Sequence, residues 1–181
     1  TVKHTQKISA LYGMVAGVEN PLSTNGAHAL EEEDRFGYSV GLIGDVDGDG
    51  NSDIVAGSDG DDDGSETGHD PSKQSAFGAV FIIFLNANGR AKKIVKISSK
   101  SGGLQPGTLL SKDGFGQSAN GIGDLDGDGI PDIAVGAPGA DGKRGRLWLL
   151  CLKRDGTVKT QHLVDMGADT MAKGDSFGGR S

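Results

Sequence analysis

One nine-residue stretch occurs twice in the chain, as DVDGDGNSD at residues 45–53 and as DLDGDGIPD at residues 124–132. Each copy has Asp at its first, third, fifth and ninth positions and Gly at its fourth and sixth positions. Four carboxylates on so short a segment repel one another unless a cation neutralises them. The stretch therefore predicts a bound cation, and its duplication predicts a repeated fold.

The similarity between the two copies continues on both sides of these stretches. An offset of 79 residues aligns the segments around them, and an offset of 67 residues aligns the apolar runs that follow. The aligned segments are 36–44 with 115–123, 53–57 with 132–136, and 78–85 with 145–152. The first copy therefore carries 79 − 67 = 12 additional residues, located in the polar run 58–74, which is predicted to be a surface loop.

Each copy is predicted to form four short strands. Strand one follows a Phe-Gly pair, and the Asp-rich stretch joins it to strand two, which starts at Asp53 or Asp132. Strand three is the apolar run 79–85 in the first copy, and its lack of polar residues predicts that both of its faces are covered. Turns that end in Asn-Gly or Asp-Gly lead to strand four, predicted over residues 91–97 and 157–164.

Both ends of the chain resemble incomplete copies of the same unit. Residues 1–9 resemble the fourth strand, and residues 175–179 resemble the start of a third copy. Four-stranded units repeated at this length are typical of β-propellers, which place about four to eight blades around an axis. Two blades cannot close a ring, and the chain begins at Thr1 rather than Met. We therefore expect a processed chain or an excised fragment, completed by further blades from a longer chain or from identical copies.

The predicted fold class is all-β. It consists of β-propeller blades, which are four-stranded antiparallel sheets, with two complete blades and partial flanking ones. The 32 glycines among 181 residues support many tight turns between short strands. The predicted units are 1–34 (the last strand of a preceding blade and a connecting loop), 35–100 (the first blade, with an acidic insertion at 58–74), 101–166 (the second blade) and 167–181 (the start of a further blade).

The Asp-rich loops suit two Ca²⁺ ions, one for each copy. Ca²⁺ is a hard cation that takes about six to eight oxygen ligands from carboxylates, backbone carbonyls and water. Alternate side chains of a curled loop can turn inward, and Gly50 and Gly129 at position six permit the sharp turn. The predicted ligands are the carboxylates of Asp45, Asp47, Asp49 and Asp53 with the carbonyl of Asn51, and the carboxylates of Asp124, Asp126, Asp128 and Asp132 with the carbonyl of Ile130.

Other cation sites fit these loops less well. Mg²⁺ rarely uses an all-protein cage, and Zn²⁺ prefers His or Cys, which neither loop contains. An EF-hand needs Glu at position twelve and helices on both sides, but position twelve is Ala56 or Val135 and the flanks are β-branched and Gly-rich. The remaining alternative is an Asx-rich turn without metal, which the matched duplication disfavours.

The insertion contains a weaker, third candidate for a cation site. Its members are Asp59, Asp61, Asp63 and Asp70. The composition fits a flexible acidic surface loop better, and that interpretation is preferred. Outside the loops, Trp148 and the single Cys151 lie in an apolar run and are predicted to be core residues.

The order of a Phe-Gly pair, an Asp-rich loop and a Gly-Ala-Pro segment resembles the FG-GAP repeat, and it is similar to the blades of integrin α-subunit propellers. The second copy has both named elements, Phe115-Gly116 and Gly136-Ala137-Pro138. The first copy keeps Phe36-Gly37 but has Gly57-Ser58-Asp59 in place of Gly-Ala-Pro. The resemblance covers residues 35–165, and it implies a cell-surface or extracellular propeller with Ca²⁺ on blade hairpins, held by the Asp residues named above.

Composition excludes two classes of partner. The net charge of −7 argues against nucleic acids and anionic membrane surfaces. Every apolar run is far shorter than the roughly 20 residues of a membrane-spanning helix, so no membrane span is expected in this segment.

The predicted function is non-enzymatic. We expect a calcium-binding propeller segment with a structural, adhesion or protein-assembly role, whose partners are further blades and a protein or glycan ligand. A carbohydrate-binding propeller is the alternative, but it needs exposed aromatic rings on loops, and most of the nine aromatic residues (six Phe, two Tyr and one Trp) lie on strands or in Phe-Gly pairs. An accessory domain of a secreted enzyme is a less favoured role. An enzyme that uses Ca²⁺ catalytically ranks lowest, because the sequence supplies no paired acid and base outside the Asp-rich loops.

Overall fold

A computed structural model describes residues 30, 33–62, 76–164, 174 and 176–179 of the chain. The described part forms two four-stranded antiparallel sheets, with the strands in sequence order in each sheet. The elements are β1 (Val40–Gly44), β2 (Asp53–Ser58), β3 (Ala79–Leu85), β4 (Ala91–Ile97), β5 (Ser118–Gly123), β6 (Asp132–Ala137), α1 (Ala140–Lys143), β7 (Arg146–Leu152) and β8 (Val158–Leu163). The predicted all-β fold with four-stranded antiparallel blades is confirmed. We call the sheet β1–β4 blade 1 and the sheet β5–β8 blade 2.

The predicted strand limits agree closely with the observed ones. The ranges predicted for strands three and four of the first copy are those of β3 and β4. The element α1 is a single turn in which Asp141 and Gly142 have left-handed backbone angles, so it interrupts the all-β pattern only locally. The predicted strand in residues 1–9 and most of the insertion lie outside the described residues. Within the described residues, no helix has the length and apolar character needed to cross a membrane.

Strand β3 is buried on both faces, as its uniform apolar sequence predicts. Alternate side chains of a strand point to opposite faces, and they join two separate clusters here. Val80, Ile82 and Phe84 pack in one core with Trp148 and Leu150 of blade 2. The alternate set packs in a second cluster on the other face of blade 1, and consists of Ala79, Phe81 and Ile83. Blade 1 therefore lies with one apolar face against blade 2.

The Phe-Gly pair of blade 2 joins the two blades. Phe115 is fully buried and forms an isolated parallel bridge with Gly78 of blade 1. The carbonyl of Gly116 accepts a hydrogen bond of 2.9 Å from the Ser39 hydroxyl. A side chain on Gly57 would collide with this carbonyl, so only glycine permits the approach.

The same arrangement recurs at the far side of blade 2. Phe177 forms a parallel bridge with Gly145, and the Ser118 hydroxyl donates a 2.8 Å hydrogen bond to the carbonyl of Gly178. Residues 177 and 178 thus lie on blade 2 as the Phe-Gly pair of blade 2 lies on blade 1.

Residues that are equivalent in the two copies differ in exposure according to the neighbouring blade. Ile43 is 3% exposed and Val46 is 0% exposed, whereas their equivalents Ile122 and Leu125 are 41% and 50% exposed. The first pair belongs to the core shared with blade 2. The second pair occupies the corresponding positions on the opposite side of blade 2, so the packing between blades accounts for the difference.

This difference predicts unequal effects of one substitution at two equivalent positions. Ile43→Ala should lower the free energy of unfolding by about 2 to 5 kcal/mol, because it leaves a cavity between the blades. Ile122→Ala is the matched control and should cost about 1 kcal/mol or less. Urea unfolding followed by the fluorescence of the buried Trp148 measures both. Equal losses would show that blade 2 does not pack on Ile43 as described.

Candidate metal loops

The two Asp-rich stretches form the hairpin loops between the first and second strands of each blade, and we call residues 45–53 loop 1 and residues 124–132 loop 2. Each loop curls around the carboxylate at its first position. Asp45 accepts hydrogen bonds from the amides of Gly48 at 2.8 Å, Asp49 at 3.0 Å and Gly50 at 2.8 Å. The two glycines have positive φ angles, which turn successive amides towards the same point.

Loop 2 repeats this geometry within a few tenths of an ångström. Asp124 accepts from the amides of Gly127 at 2.8 Å, Asp128 at 3.1 Å and Gly129 at 2.8 Å. In each loop the carboxylates at positions one, three and five come together, with one oxygen of each within 4.8 Å of the others. The two groups are Asp45, Asp47 and Asp49 in loop 1, and Asp124, Asp126 and Asp128 in loop 2.

The two oxygens of the later carboxylates have different partners. The Oδ1 atoms accept hydrogen bonds from backbone amides of the loop: Asp47 from Asp49 at 3.3 Å, and Asp49 from Asn51 at 2.8 Å. The corresponding distances in loop 2 are 3.2 Å for Asp126 and 2.9 Å for Asp128. The Oδ2 atoms point instead to a lysine from the fourth strand of the same blade.

That lysine is Lys92 in loop 1 and Lys159 in loop 2. The Lys92 ammonium lies 2.8 Å from Oδ2 of Asp47 and also pairs with Oδ2 of Asp49. The Lys159 ammonium lies 2.8 Å from Oδ2 of Asp126 and 2.6 Å from Oδ2 of Asp128. Sequence reasoning missed both residues, although the offset of 67 residues that aligns strand three also aligns the two lysines.

The ion pairs shift the pKa values of their members. The hydrogen bond from Lys92 holds the pKa of Asp49 below its usual value, and Lys159 does the same for the pKa of Asp128. Burial acts to lower the pKa of Lys92, but its hydrogen bonds to Asp47 and Asp49 outweigh that effect and raise it. Asp49 and Asp128 therefore stay ionised at neutral pH, and in each loop a lysine ammonium lies between two carboxylates.

The carboxylates at position nine lie apart from these groups and connect the loop to the sheet. Asp53 is fully buried and accepts hydrogen bonds from the amides of Val46 at 3.0 Å and Leu85 at 2.9 Å. Asp132 is also fully buried and accepts from Leu125 at 2.7 Å and Leu152 at 2.9 Å. Burial raises the pKa of Asp53, although its two amide hydrogen bonds oppose the shift.

The carbonyls proposed for position seven belong to residues whose amides are already engaged. The Asn51 amide donates to Asp49, and the Ile130 amide donates to Asp128. The Ile130 side chain is 9% exposed and belongs to the core between the blades. Loop 2 is therefore anchored by an apolar contact that the sequence pattern of the metal site does not reveal.

The candidate third site has different surroundings. Asp59 pairs with Arg35 at 3.2 Å and accepts a 3.2 Å hydrogen bond from Gln117 of blade 2. Asp61 pairs with Lys96 at 2.5 Å, and both side chains are 2% exposed. Asp63 and Asp70 lie outside the described residues. In the described part of the insertion, Asp59 and Asp61 are thus each paired with a protein cation.

Comparison with known families supports the predicted similarity of the repeat to the FG-GAP repeat. Residues 115–150 match the model of the FG-GAP repeat. The chain contains an FG-GAP repeat. The matched segment runs from Phe115 through loop 2 and the Gly-Ala-Pro segment to strand β7.

Integrin α subunits are among the relatives of this FG-GAP chain. It is 37% identical over 112 residues to integrin alpha-5 of Xenopus laevis, a match that covers 62% of this chain and 9% of the relative. It is 33% identical over 115 residues to integrin alpha-2 of Bos taurus, covering 63% and 8%. It is 31% identical over 133 residues to integrin alpha-10 of Homo sapiens, covering 72% and 10%. The chain therefore spans about a tenth or less of the length of these relatives.

The burial of Asp132 predicts a structural effect that does not depend on metal. Asp132→Asn replaces one accepting oxygen by a donor, so one of its two backbone amides loses its partner. The free energy of unfolding should fall by about 1 to 3 kcal/mol. Asp126→Asn, in the same loop, removes only a partly exposed ion pair and should cost about 1 kcal/mol or less. Urea unfolding in excess chelator compares the two, and losses of equal size would contradict the role assigned to position nine.

Proposed function

We propose that each loop binds one Ca²⁺ ion and that the chain is part of an integrin-like propeller with a structural or adhesive role at the cell surface or outside the cell. The observation that carries this proposal is the convergence of three carboxylates within 4.8 Å in each of two equivalent loops. A positive charge already lies between two of these carboxylates, so the site accommodates a cation. The proposed role is non-enzymatic.

The donor set favours Ca²⁺ over Zn²⁺, which prefers His or Cys, and over Mg²⁺, which rarely uses an all-protein cage. All converging donors are carboxylate oxygens, which suit hard cations. Asp53 and Asp132, with the carbonyls of Asn51 and Ile130, are the further ligands that we propose from the sequence pattern. Two bound ions would change the net charge from −7 to −7 + 4 = −3. The ions would relieve the repulsion among the loop carboxylates, and the apo chain would be less stable by binding linkage.

Loop 1 lies at the contact between the two blades, so a metal ion bound in this loop would affect how the blades pack. A side chain on Gly44 at the start of this loop would lie 3.1 Å from the Pro131 ring of loop 2. The guanidinium of Arg154, on the β7–β8 turn of blade 2, lies against Gly48. An ion that fixes loop 1 would therefore also fix part of the surface on which blade 2 packs.

Further blades are the partners that we propose first. The exposed Ile122 and Leu125 are equivalent to residues that blade 2 buries on blade 1, and Phe177 lies on blade 2 as Phe115 lies on blade 1. We propose that residues 167–181 begin a further blade and that residues 1–34 end a preceding one. These blades come from the same longer chain or from identical copies, and the finished propeller would present a protein or glycan ligand site.

The calcium proposal predicts two binding sites that single substitutions remove one at a time. Isothermal titration of the 181-residue chain should give two Ca²⁺ ions for the parent chain, and one each for Asp47→Asn and Asp126→Asn. Asp141→Asn changes the charge equally at an exposed carboxylate outside the loops and should leave two ions. A parent chain that binds no Ca²⁺, or loop variants that still bind two ions, would contradict the proposal.

Saturation with calcium should also raise the melting temperature. At a free concentration of about 100 times the dissociation constant, each site contributes about 2.7 kcal/mol, which corresponds to roughly 5 to 10 °C per site in a chain of this size. The rise should be about half as large in each loop variant as in the parent chain. An identical melting temperature in calcium and in chelator would count against a structural ion.

A further inference from the structure

Lys92 and Lys159 are equivalent residues of the two blades. Their numbers differ by 67, the offset that relates strand β3 to strand β7. Each is the second residue of the fourth strand of its blade, and each points its ammonium group at the carboxylates of positions three and five of the adjacent loop. The repeat has thus placed a cation at the same point of both loops.

The contacts of these ammonium groups are confined to one oxygen of each carboxylate. In both loops the Oδ1 atoms of positions three and five accept hydrogen bonds from loop amides, and the Oδ2 atoms bind the lysine. At positions three and five, a metal ion binds most readily to the carboxylate oxygens that the amides do not already hold. The Oδ2 atoms are those oxygens, and a divalent ion on them would repel the ammonium group that occupies them.

We propose that Lys92 and Lys159 are tethered competitors of the metal. In the metal-free chain each ammonium group neutralises its loop and keeps the carboxylates together, and on metal binding it must leave the Oδ2 atoms. This inference rests on the proposed calcium binding and concerns its regulation: the lysines lower the affinity of the loops and stabilise their empty form. Both side chains can move away, because Lys92 is 28% exposed and Lys159 is 40% exposed.

Substitution of either lysine by methionine separates this role from a simple surface ion pair. Methionine keeps most of the aliphatic chain and removes the charge. Since each lysine makes two partly exposed ion pairs, Lys92→Met and Lys159→Met should bind Ca²⁺ about 2- to 30-fold more tightly at the altered loop. Their melting temperatures should fall in chelator and recover in saturating calcium.

Lys93→Met is the matched control on the same strand. It removes the same charge, but the Lys93 ammonium contacts the carbonyl of Asp155 at 2.8 Å and the Phe84 ring rather than loop 1. Its calcium affinity should equal that of the parent chain, which excludes a general effect of net charge. If Lys92→Met fails to fold in chelator, Lys159→Met is compared with the parent chain instead. Lys159 is more exposed than Lys92, and its substitution leaves loop 1 unaltered.

The outcomes distinguish this inference from the calcium proposal itself. Tighter Ca²⁺ binding in Lys92→Met and Lys159→Met, but not in Lys93→Met, supports the competition between lysine and metal. Binding that is equally tight in all four chains overturns it and leaves the calcium sites in place. No binding in any chain overturns both proposals. Binding only in Lys92→Met and Lys159→Met supports the competition but contradicts the proposed calcium binding of the parent chain. The lysine ¹³Cε resonances of Lys92 and Lys159 should shift on addition of calcium to the parent chain, and unchanged resonances at saturation would also overturn the inference.

Discussion

Each loop brings three mutually repelling carboxylates together, and the conformation of both loops depends on how this repulsion is neutralised. Charges about 4 Å apart repel by about 1 to 4 kcal/mol for each pair at the dielectric constants of water and of a protein surface. Two kinds of group reduce this repulsion. Backbone amides converge on Asp45 and Asp124, and one lysine ammonium from the fourth strand pairs with the other carboxylates of each loop. The glycines at positions four and six are required because only their backbone angles aim the amides inward.

The loops are also part of the contact between blades. Val46 of loop 1 and Ile130 of loop 2 belong to the same buried core, and Pro131 lies beside the start of loop 1. Charge at the loop surface and apolar packing beneath it are therefore coupled through a few residues. The buried carboxylate of Asp53 strengthens this coupling, because it binds the amide of Val46 and the amide at the end of strand β3. A cation in the loop would act on the blade interface through these connections.

Much of the fold could be predicted from the sequence because each strand occurs in two aligned copies, so a pattern seen in one copy can be checked in the other. The limits of β3 and β4 followed from uniform apolar character and from the Asn-Gly turn between them, and the FG-GAP resemblance rested on residues that the family model also matches. The predicted core positions of Trp148 and Cys151 are likewise confirmed, since both are buried. Local patterns of this kind depend on residues that are close in the chain.

The remaining features depend on contacts between distant residues. The spacing of the Asp residues does not distinguish position nine from positions one, three and five. In the structure Asp132 is buried and accepts a hydrogen bond from the amide of Leu152 on strand β7, 20 residues away. The ion pair of Asp61 with Lys96 arises where strand β4 passes the insertion, and no spacing in the sequence indicates it. Lys92 and Lys159 align in the two copies, but only the pairing of the fourth strand with the third brings them to the loops.

A crystal structure of the protein grown in calcium, with anomalous diffraction measured at long wavelength, would show whether both loops bind Ca²⁺ and where their lysines then lie. We expect one calcium peak in each loop, about 2.3 to 2.6 Å from the oxygens of the three converging carboxylates, and both lysine ammonium groups displaced from the Oδ2 atoms. Loops without an anomalous peak at saturating calcium, with both lysines still paired to the carboxylates, would contradict this expectation.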